Sequence, residues 1–465
     1  MATGKTATTR TAAVDKSLKT RRTSPSKPKL VAKSEREVVI VATIRTPLGK
    51  AGGVYEHLTA VDLGVLAVRE VLARSPISKQ DIDTVIIGNV IQPAEAANIA
   101  RVIALLAGIP RVVPAHTVHR NCASGMQAVT DAAEKILSGR SEVVLAGGVE
   151  SMTHAPLLFH DEFRRAMSHL PRAKSLKQKL SVFSEIAKAP WKPRISLLEG
   201  LTDPTVNLNM GQTAEVLARE FGITRQQQDE FSVQSHLRAD AAWESGWFDE
   251  EAMHVFPPKG YTPVHRDEGV RSGQSMEALG KLRPAFEKPL GTVTAGNSSQ
   301  ITDGAAMLLL THRAKAEAEG WPILGYLHDW AYAGCDPARM GLGPVYATSK
   351  LLAGRGMMVR DLARVEINEA FASQVLGCVS AMDSKTFCSD QLTCSKPVGA
   401  PDMDKLNVHG GAIAMGHPVG MTGARLVVTL LNQLKRDTGG GLAVGTLCIG
   451  GGQGGAVLIG SDPWK

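Results

Sequence analysis

His119-Arg120-Asn121-Cys122-Ala123-Ser124-Gly125-Met126 joins two segments of different periodicity. Upstream, Val112 to Val118 reads as a strand. Downstream from Ser124, the residues Met126, Val129, Ala132, Ala133, Ile136 and Leu137 recur at helical spacing up to Gly139. Cys122 is therefore placed in a strand-to-helix turn. A thiol there faces unpaired backbone N–H groups and the positive end of the helix macrodipole, both of which favour the thiolate. A lone cysteine beside a helix is otherwise a small buried hydrophobe, so this turn gains chemical meaning only from other segments. Toward the N-terminus, Val38 to Ala42 reads as a strand, Ala60 to Ala73 as a helix, Thr84 to Gly88 as a strand and Ala96 to Ala107 as a helix. The alternation predicts an α/β fold.

Two glycine-rich segments near the C-terminus supply the missing support. In Asn407-Val408-His409-Gly410-Gly411-Ala412-Ile413-Ala414-Met415-Gly416-His417-Pro418, the glycines permit close backbone approach, and Pro418 gives a rigid turn that holds the His417 imidazole in one orientation. In Thr446-Leu447-Cys448-Ile449-Gly450-Gly451-Gly452-Gln453-Gly454, a second cysteine follows the strand-like Gly441 to Val444. A Cys/His nucleophile pair with a further thiol as separate acid and base suits acyl transfer from a thioester. The helix and strand after Cys122 (Met126 to Leu137, Glu142 to Gly148) also parallel those after His417 (Thr422 to Leu434, Gly441 to Gly450). A two-fold repeat would bring the corresponding turns together at one crevice.

Cys122-Ala123-Ser124-Gly125, Asn368-Glu369-Ala370-Phe371, Gly416-His417-Pro418 and Cys448-Ile449-Gly450 together resemble the four active-site motifs of the thiolases. The resemblance runs from about Val38 to Gly460. It includes Gly147-Gly148-Val149-Glu150-Ser151-Met152, Asn209-Met210-Gly211-Gln212-Thr213-Ala214-Glu215 and Gly291-Thr292-Val293-Thr294-Ala295-Gly296-Asn297-Ser298-Ser299. Within the family, Pro171 to Leu180, Leu282-Arg283-Pro284-Ala285-Phe286 and Leu342-Gly343-Pro344 resemble the β subunit of the fatty-acid-oxidation trifunctional complex. The resemblance implies duplicated βαβαβαββ halves in a five-layered α/β/α/β/α sandwich. It places an N-terminal half at 37–312, a loop domain inserted at about 152–289, and a C-terminal half at 322–462.

It also implies degradative 3-ketoacyl-CoA thiolase chemistry. His417 would take the proton of Cys122, whose thiolate attacks a 3-oxoacyl-CoA, and Cys448 would serve as acid and then base. One oxyanion hole would join His417 to the Cys122 N–H; the other would join Asn368, through a water, to His409. Ser299, Met210, Gly296 and Gly450 are implied contacts for the substrate and coenzyme A, which enters as a substrate, with no bound cofactor and no metal. Acetoacetyl-CoA synthesis is the alternative within the family. A β-ketoacyl synthase-type condensing enzyme needs no second thiol, so Cys448 weighs against it, and a catalytically silent subunit would have lost Cys122, His417 or Cys448. A homodimer or tetramer is expected, with an α subunit of hydratase/dehydrogenase type as a further partner.

Composition sets the outer bounds. The chain has 465 residues, 43% of them hydrophobic, enough for a large core. No apolar run reaches the roughly 20 residues of a membrane span, and the first residues lack a secretory apolar stretch. An intracellular protein is expected. The six cysteines at 122, 335, 378, 388, 394 and 448 show no paired metal spacing. The net charge of +7 is concentrated in residues 1–36, where ten basic residues face two acidic ones, leaving the body near neutrality. That tail is too poor in large apolar residues to fold, and nothing in it interleaves aromatic with basic residues as a nucleic-acid surface would. It reads as a disordered cytoplasmic tail, with a mitochondrial-matrix presequence as the alternative.

Between Ser151 and about Pro289 the α/β alternation fails. There Lys174, Lys177, Lys179, Lys188, Lys192 and Arg194 interleave with Leu176, Leu180, Val182, Phe183 and Ile186, as in a basic amphipathic helix. A solvated cover, an α-subunit contact and a peripheral membrane contact through 171–195 are the readings of this segment, and its basic residues could also receive coenzyme A phosphates.

Overall fold

The computed structural model describes residues 36–258, 260–392 and 396–464. The basic tail, apart from Arg36, and Cys394 lie outside these residues. The first half runs β1 (Val38–Arg45), α1 (Ala60–Ala73), β2 (Thr84–Gly88), α2 (Ile99–Leu106), β3 (Ala115–Val118), α3 (Ser124–Leu137) and β4 (Val143–Ser151). An insertion follows, carrying α4 (Asp161–His169), α5 (Leu176–Lys188), α6 (Ser196–Gly200), α7 (Met210–Glu220) and α8 (Arg225–Glu244) before β5 (Thr302–His312). The second half runs β6 (Gly325–Gly334), α9 (Gly343–Ala353), β7 (Arg364–Ile367), α10 (Ala372–Asp383), α11 (Val419–Arg436), β8 (Leu442–Ile449) and β9 (Gln453–Gly460).

The strand order is β3-β2-β4-β5-β1 in the first half and β7-β8-β9-β6 in the second. An isolated parallel bridge of Leu406 to Val365 occupies, in the second half, the place that β3 holds in the first. The repeat is thus real at the level of strand order. The two sheets are also joined: β1 pairs with β6 at Val39↔Tyr326 and Ile40↔Gly325, making one ten-stranded sheet with the short strand Gly49–Lys50 beside β5.

Side-chain alternation along the strands builds the layers. Val39 and Val41 pack with Leu63, Val68 and Ile103 of α1 and α2, while Val38 and Ile40 pack with Met126, Val129, Leu426 and Leu430 of α3 and α11. In the second half Val444 and Leu458 face α9 and α10, and Leu447 and Val457 face the same central pair of helices. Five layers result, with α3 and α11 in the middle.

These central helices touch through glycine near their N-termini. A Cβ on Gly125 would lie 2.9 Å from the carbonyl oxygen of Gly420, and one on Gly423 would lie 2.5 Å from the backbone nitrogen of Met126. Only residues without a side chain allow this approach. The turns that precede the two helices, bearing Cys122 and His417, are thereby brought to one end of the molecule.

Two boundaries differ from expectation. The strand before Cys122 begins at Ala115, since Pro114 precedes it, and α2 begins at Ile99, where Asn98 caps it by accepting from the Arg101 N–H. In the insertion, α5 carries Lys177, Lys179 and Lys188, but Lys174 precedes it and Lys192 and Arg194 lie beyond it. Only Val182 and Ile186 of α5 are buried, against Ala166 of α4; Leu176, Leu180 and Phe183 remain exposed. Among the described residues no helix is long and apolar enough to cross a membrane.

Candidate active site

The turn after β3 is wound tightly. Asn121 takes a left-handed conformation (φ 42°), and its Nδ2 donates to the Gly450 carbonyl at 2.7 Å. Ser124 Oγ donates to the Asn121 carbonyl and accepts from the Arg120 N–H. Ala123, at the start of α3, makes no side-chain cap; the Ser124 N–H instead donates to the Asn121 carbonyl. The backbone N–H groups of Gly450 and of Cys122 itself point at the Cys122 sulfur. Burial nevertheless outweighs these donors and pushes the thiol up from its ordinary value. The expectation that the helix terminus alone would favour thiolate is corrected: this thiol needs a base.

His417 is built to be one. Gly416 has φ +117°, and the His417 N–H donates to the Gln300 carbonyl. Thr422 Oγ1 lies 2.7 Å from Nδ1 and donates its own hydrogen to the Pro418 carbonyl at 3.0 Å. The hydroxyl can then only accept from the ring, which puts the proton on Nδ1 and leaves the Nε2 lone pair free. Asn368 Nδ2 stands 3.5 Å from that Nε2. Burial first, and the Arg425 charge second, push the imidazole down to about 3, so the ring rests neutral.

Asn368 is held by its N–H to the Thr446 carbonyl. Its neighbour Glu369, wholly buried, accepts from Ser235 Oγ (2.6 Å), Asn407 Nδ2 (2.9 Å) and the Ile413 N–H (3.1 Å). It thus ties the Asn368 turn to the glycine loop that carries His417. Cys448, the penultimate residue of β8, is 1% exposed. Burial, with the Cys122 sulfur nearby as the next contribution, holds its thiol well above the ordinary range. Met210, which lines the cavity at Cys122, packs in the same apolar cluster as Cys448.

The cavity at Cys122 measures about 180 Å³. Val90, Ile91, Met152, Met210 and Val419 line it, with Leu197 and Leu201 of the inserted segment over it. Gly450 borders it close to Met210, whose sulfur would lie 3.5 Å from a Cβ there. Gly296 and Ser299 do not line this cavity: Gly296 is packed against Leu279 and Leu282, and Ser299, whose N–H donates to the Ala370 carbonyl, lies between the Asn368 turn and Gln300, which holds His417.

His409 is not brought to this site. Its Nε2 pairs with Asp437 at 2.8 Å and its ring stacks on Trp247, centroids 3.8 Å apart. It belongs to a contact between the ends of α8 and α11, and Asn368 faces His417 instead. Sequence reasoning missed Thr422, five residues beyond His417 and one helical turn into α11. It also missed Glu150, which accepts from Asn89 Nδ2 and from the N–H groups of Val90, Ile91 and Gly420. Glu150 thereby joins the pocket wall to the start of α11, and burial pushes its carboxyl up to about 7. A buried acid inside the glycine-rich Gly147–Met152 run was the available signal for it.

Comparison with known proteins gives the family. Residues 38–314 match the thiolase N-terminal domain and residues 321–461 the thiolase C-terminal domain. The chain is 40% identical over 431 residues to a 3-ketoacyl-CoA thiolase of Yersinia pestis (strain Pestoides F), covering 92% of this chain and 98% of the relative. Among solved structures, human mitochondrial 3-ketoacyl-CoA thiolase aligns with a TM-score of 0.80 at 36% identity, over 92% of this chain and 99% of that one. The same human enzyme in complex with CoA aligns with a TM-score of 0.80 at 36% identity, over 92% and 98%. The acetyl-CoA acetyltransferase of Bacillus anthracis also gives 0.80 at 36%, over 92% and 99%. The chain belongs to the thiolase family of acyltransferases.

Proposed function

We propose that this protein cleaves 3-oxoacyl-CoA with coenzyme A, releasing acetyl-CoA and an acyl-CoA shortened by two carbons, as in fatty-acid β-oxidation. The observation that carries the reading is Cys122 in a cavity lined by Met210, in whose apolar cluster Cys448 lies, together with His417, whose Nδ1 is held by Thr422. His417 Nε2 takes the Cys122 proton, and the thiolate attacks the 3-keto carbon. The resulting oxyanion faces pre-aimed donors, each contributing a few kcal/mol, on the order of the cost of deleting one such donor. Collapse breaks the bond between C2 and C3, leaves the acyl group on Cys122 and expels the acetyl-CoA enolate, which the Cys448 thiol protonates. Coenzyme A then enters, gives its thiol proton to Cys448 and attacks the acyl-enzyme.

Asn368 beside His417 supports one oxyanion hole, and the N–H groups of Cys122 and Gly450 support the other. Likeness to a CoA-bound relative supports coenzyme A as the second substrate. The trifunctional-type segment 171–180 supports an α subunit as partner, beyond a homodimer or tetramer. The cavity of about 180 Å³ at Cys122 favours, as a second reading, a short-chain substrate such as acetoacetyl-CoA. The test is steady-state thiolysis with 3-oxoacyl-CoA of four to sixteen carbons, with Cys122→Ala as control. Turnover across chain lengths that is lost in the variant is expected. Activity confined to acetoacetyl-CoA transfers the protein to the second reading.

A further inference from the structure

The turn that carries His417 follows a helix of a single turn, Ala412–Met415, which cannot satisfy its own last carbonyls. The N–H groups of Met415 and Gly416 take the carbonyls of Gly411 and Ala412. The next two partners in a continuing helix would be His417 for Ile413 and Pro418 for Ala414. Gly416 instead leaves the helical path at φ +117°, the His417 N–H goes to Gln300, and Pro418 has no N–H to give. Two carbonyls next to the catalytic histidine thus lose their helical donors.

Gln300 supplies those donors. Its Nε2 donates to the Ile413 carbonyl at 3.1 Å and to the Ala414 and Gly269 carbonyls at 3.0 Å, so that two N–H bonds serve three acceptors, one of them shared. Its own main-chain carbonyl accepts the His417 N–H at 3.1 Å. One residue therefore grips the chain on both sides of Gly416. A Cβ on Gly269 would lie 2.8 Å from Nε2 and 2.5 Å from the Ala414 carbonyl oxygen, so a side chain there would push this third segment away. The segment is anchored in turn, because Asp267, two residues earlier, accepts from Arg45 Nη1 and from the Leu48 N–H at 2.7 Å each.

The residues before Gln300 hold the other side of the site. Ser299 donates its N–H to the Ala370 carbonyl at 2.9 Å, the Ala370 N–H returns to the Asn368 carbonyl, and Ser298 bridges Phe371. Residues 298–300 thus span the gap between the turn of Asn368 and the turn of His417, whose side chains meet at 3.5 Å.

We propose that Gln300 is a positioning residue for His417: its side-chain amide takes the carbonyls that the turn at Gly416-His417-Pro418 leaves open, and so keeps the imidazole in register with Asn368. The inference rests on the catalytic reading of His417 given above. A reacting group displaced by about 1 Å loses on the order of a hundredfold in rate, so the amide acts on turnover and not on stability alone.

The test separates shape from hydrogen bonding in the full-length protein. Gln300→Met keeps the length and loses both donors, Gln300→Glu keeps the shape but turns a carboxylate on three carbonyls, and Gln300→Lys keeps donors, since an ammonium carries three. Each is measured for kcat and KM in thiolysis of acetoacetyl-CoA, for thermal unfolding, and for the rate of Cys122 alkylation by iodoacetamide without coenzyme A, followed by mass spectrometry, with His417→Ala as reference. We expect kcat of Q300M to fall at least about tenfold with KM within about twofold, alkylation to slow toward that of H417A, Q300E to be lower still, and Q300K to recover most of both rates. A folded Q300M that keeps both rates, with or without a lower unfolding temperature, overturns the proposal, as does a Q300K no faster than Q300M. If Q300M does not fold, Q300E and Q300K decide, and equal rates in the two overturn it. Alkylation uses no thiolase substrate, so it stands if the substrate assignment fails; an H417A alkylated as fast as the wild type overturns the catalytic reading of His417 itself, and the proposal with it.

Discussion

Thr422 Oγ1 accepts the Nδ1–H of His417 at 2.7 Å while donating to the Pro418 carbonyl at 3.0 Å, so one hydroxyl fixes both the tautomer and the tilt of the catalytic ring. The bond is local: Thr422 lies one turn into the helix that starts immediately after the His417-Pro418 turn. Thr422→Val keeps the volume and removes the acceptor. The Nδ1 proton is then buried without a partner, at a cost of about 1–3 kcal/mol, and the other tautomer, which offers no lone pair at Nε2, becomes accessible. We expect kcat for thiolysis to fall by at least about tenfold with little change in KM, and Thr422→Ser to recover most of it. An undiminished kcat in a folded T422V would remove Thr422 from the machinery.

The two cysteines separate by role: Cys122 carries the acyl group, and Cys448 moves the protons. Cys448 sits on β8 with its thiol held protonated by burial, so it suits the proton delivery and removal that the enolate and the incoming coenzyme A require. Cys448→Ala leaves Cys122 and His417 in place. Incubated with 3-oxoacyl-CoA, C448A is expected to gain the mass of one acyl group, on Cys122, and to release no shortened acyl-CoA when coenzyme A is added. Multiple turnovers by C448A would show that another group carries the second proton.

Much of the architecture is legible in the chain before any coordinates are seen, and the reasons are local. Residues 60–73 and 84–88 carry clean helical and buried-strand patterns and form those elements. Cys122 and His417 lie in turns, and Cys448 at the end of a strand, each marked by glycine or proline. What is not legible depends on approach across the interior. The Gly125 and Gly423 contacts that bring α3 to α11 look like ordinary small residues, and the pairing of β1 with β6 involves two residue pairs. His409 misleads because its motif is adjacent to the site in sequence, whereas the chain reverses at Gly410 (φ +75°) and leaves its ring on Trp247. Ile91, Leu197 and Leu201 meet over Cys122 only once the insertion has folded back.

Glu366 makes stability depend on pH in an unusual direction. Burial pushes its carboxyl up to about 7, against 4.5 for the free group. Between these values the folded chain retains a proton that the unfolded chain has released, so the contribution of this group to stability falls as pH rises from 4.5 toward 7. Integrated over that window the loss is at most roughly 3 kcal/mol. Glu366→Gln does not titrate and retains an acceptor for Gln433 Nε2. In urea unfolding at pH 5 and pH 7.5, E366Q is expected to gain on the wild type as pH rises; a difference that is the same at both values would mean that Glu366 stays ionised in the folded protein.

His409 offers the sharpest separation between motif and geometry. A histidine immediately before a Gly-Gly pair in a catalytic segment invites a role in oxyanion binding, yet its Nε2 is engaged by Asp437 at 2.8 Å and one face of its ring lies on Trp247. Asp437 is itself held by Trp247 Nε1 at 2.9 Å, and the His409 and Trp247 donors keep its carboxyl below the ordinary range. The group therefore closes a contact between the end of α8 and the end of α11. Removing the ring by His409→Ala is expected to lower stability by about 1 kcal/mol, the scale of a stacked pair and a partly exposed hydrogen bond, and to leave kcat and KM for thiolysis within about twofold. If folded H409A instead loses most of its turnover at unchanged stability, the Asn368–His417 pair does not suffice for the oxyanion, and the loop bearing His409 must rearrange when substrate binds.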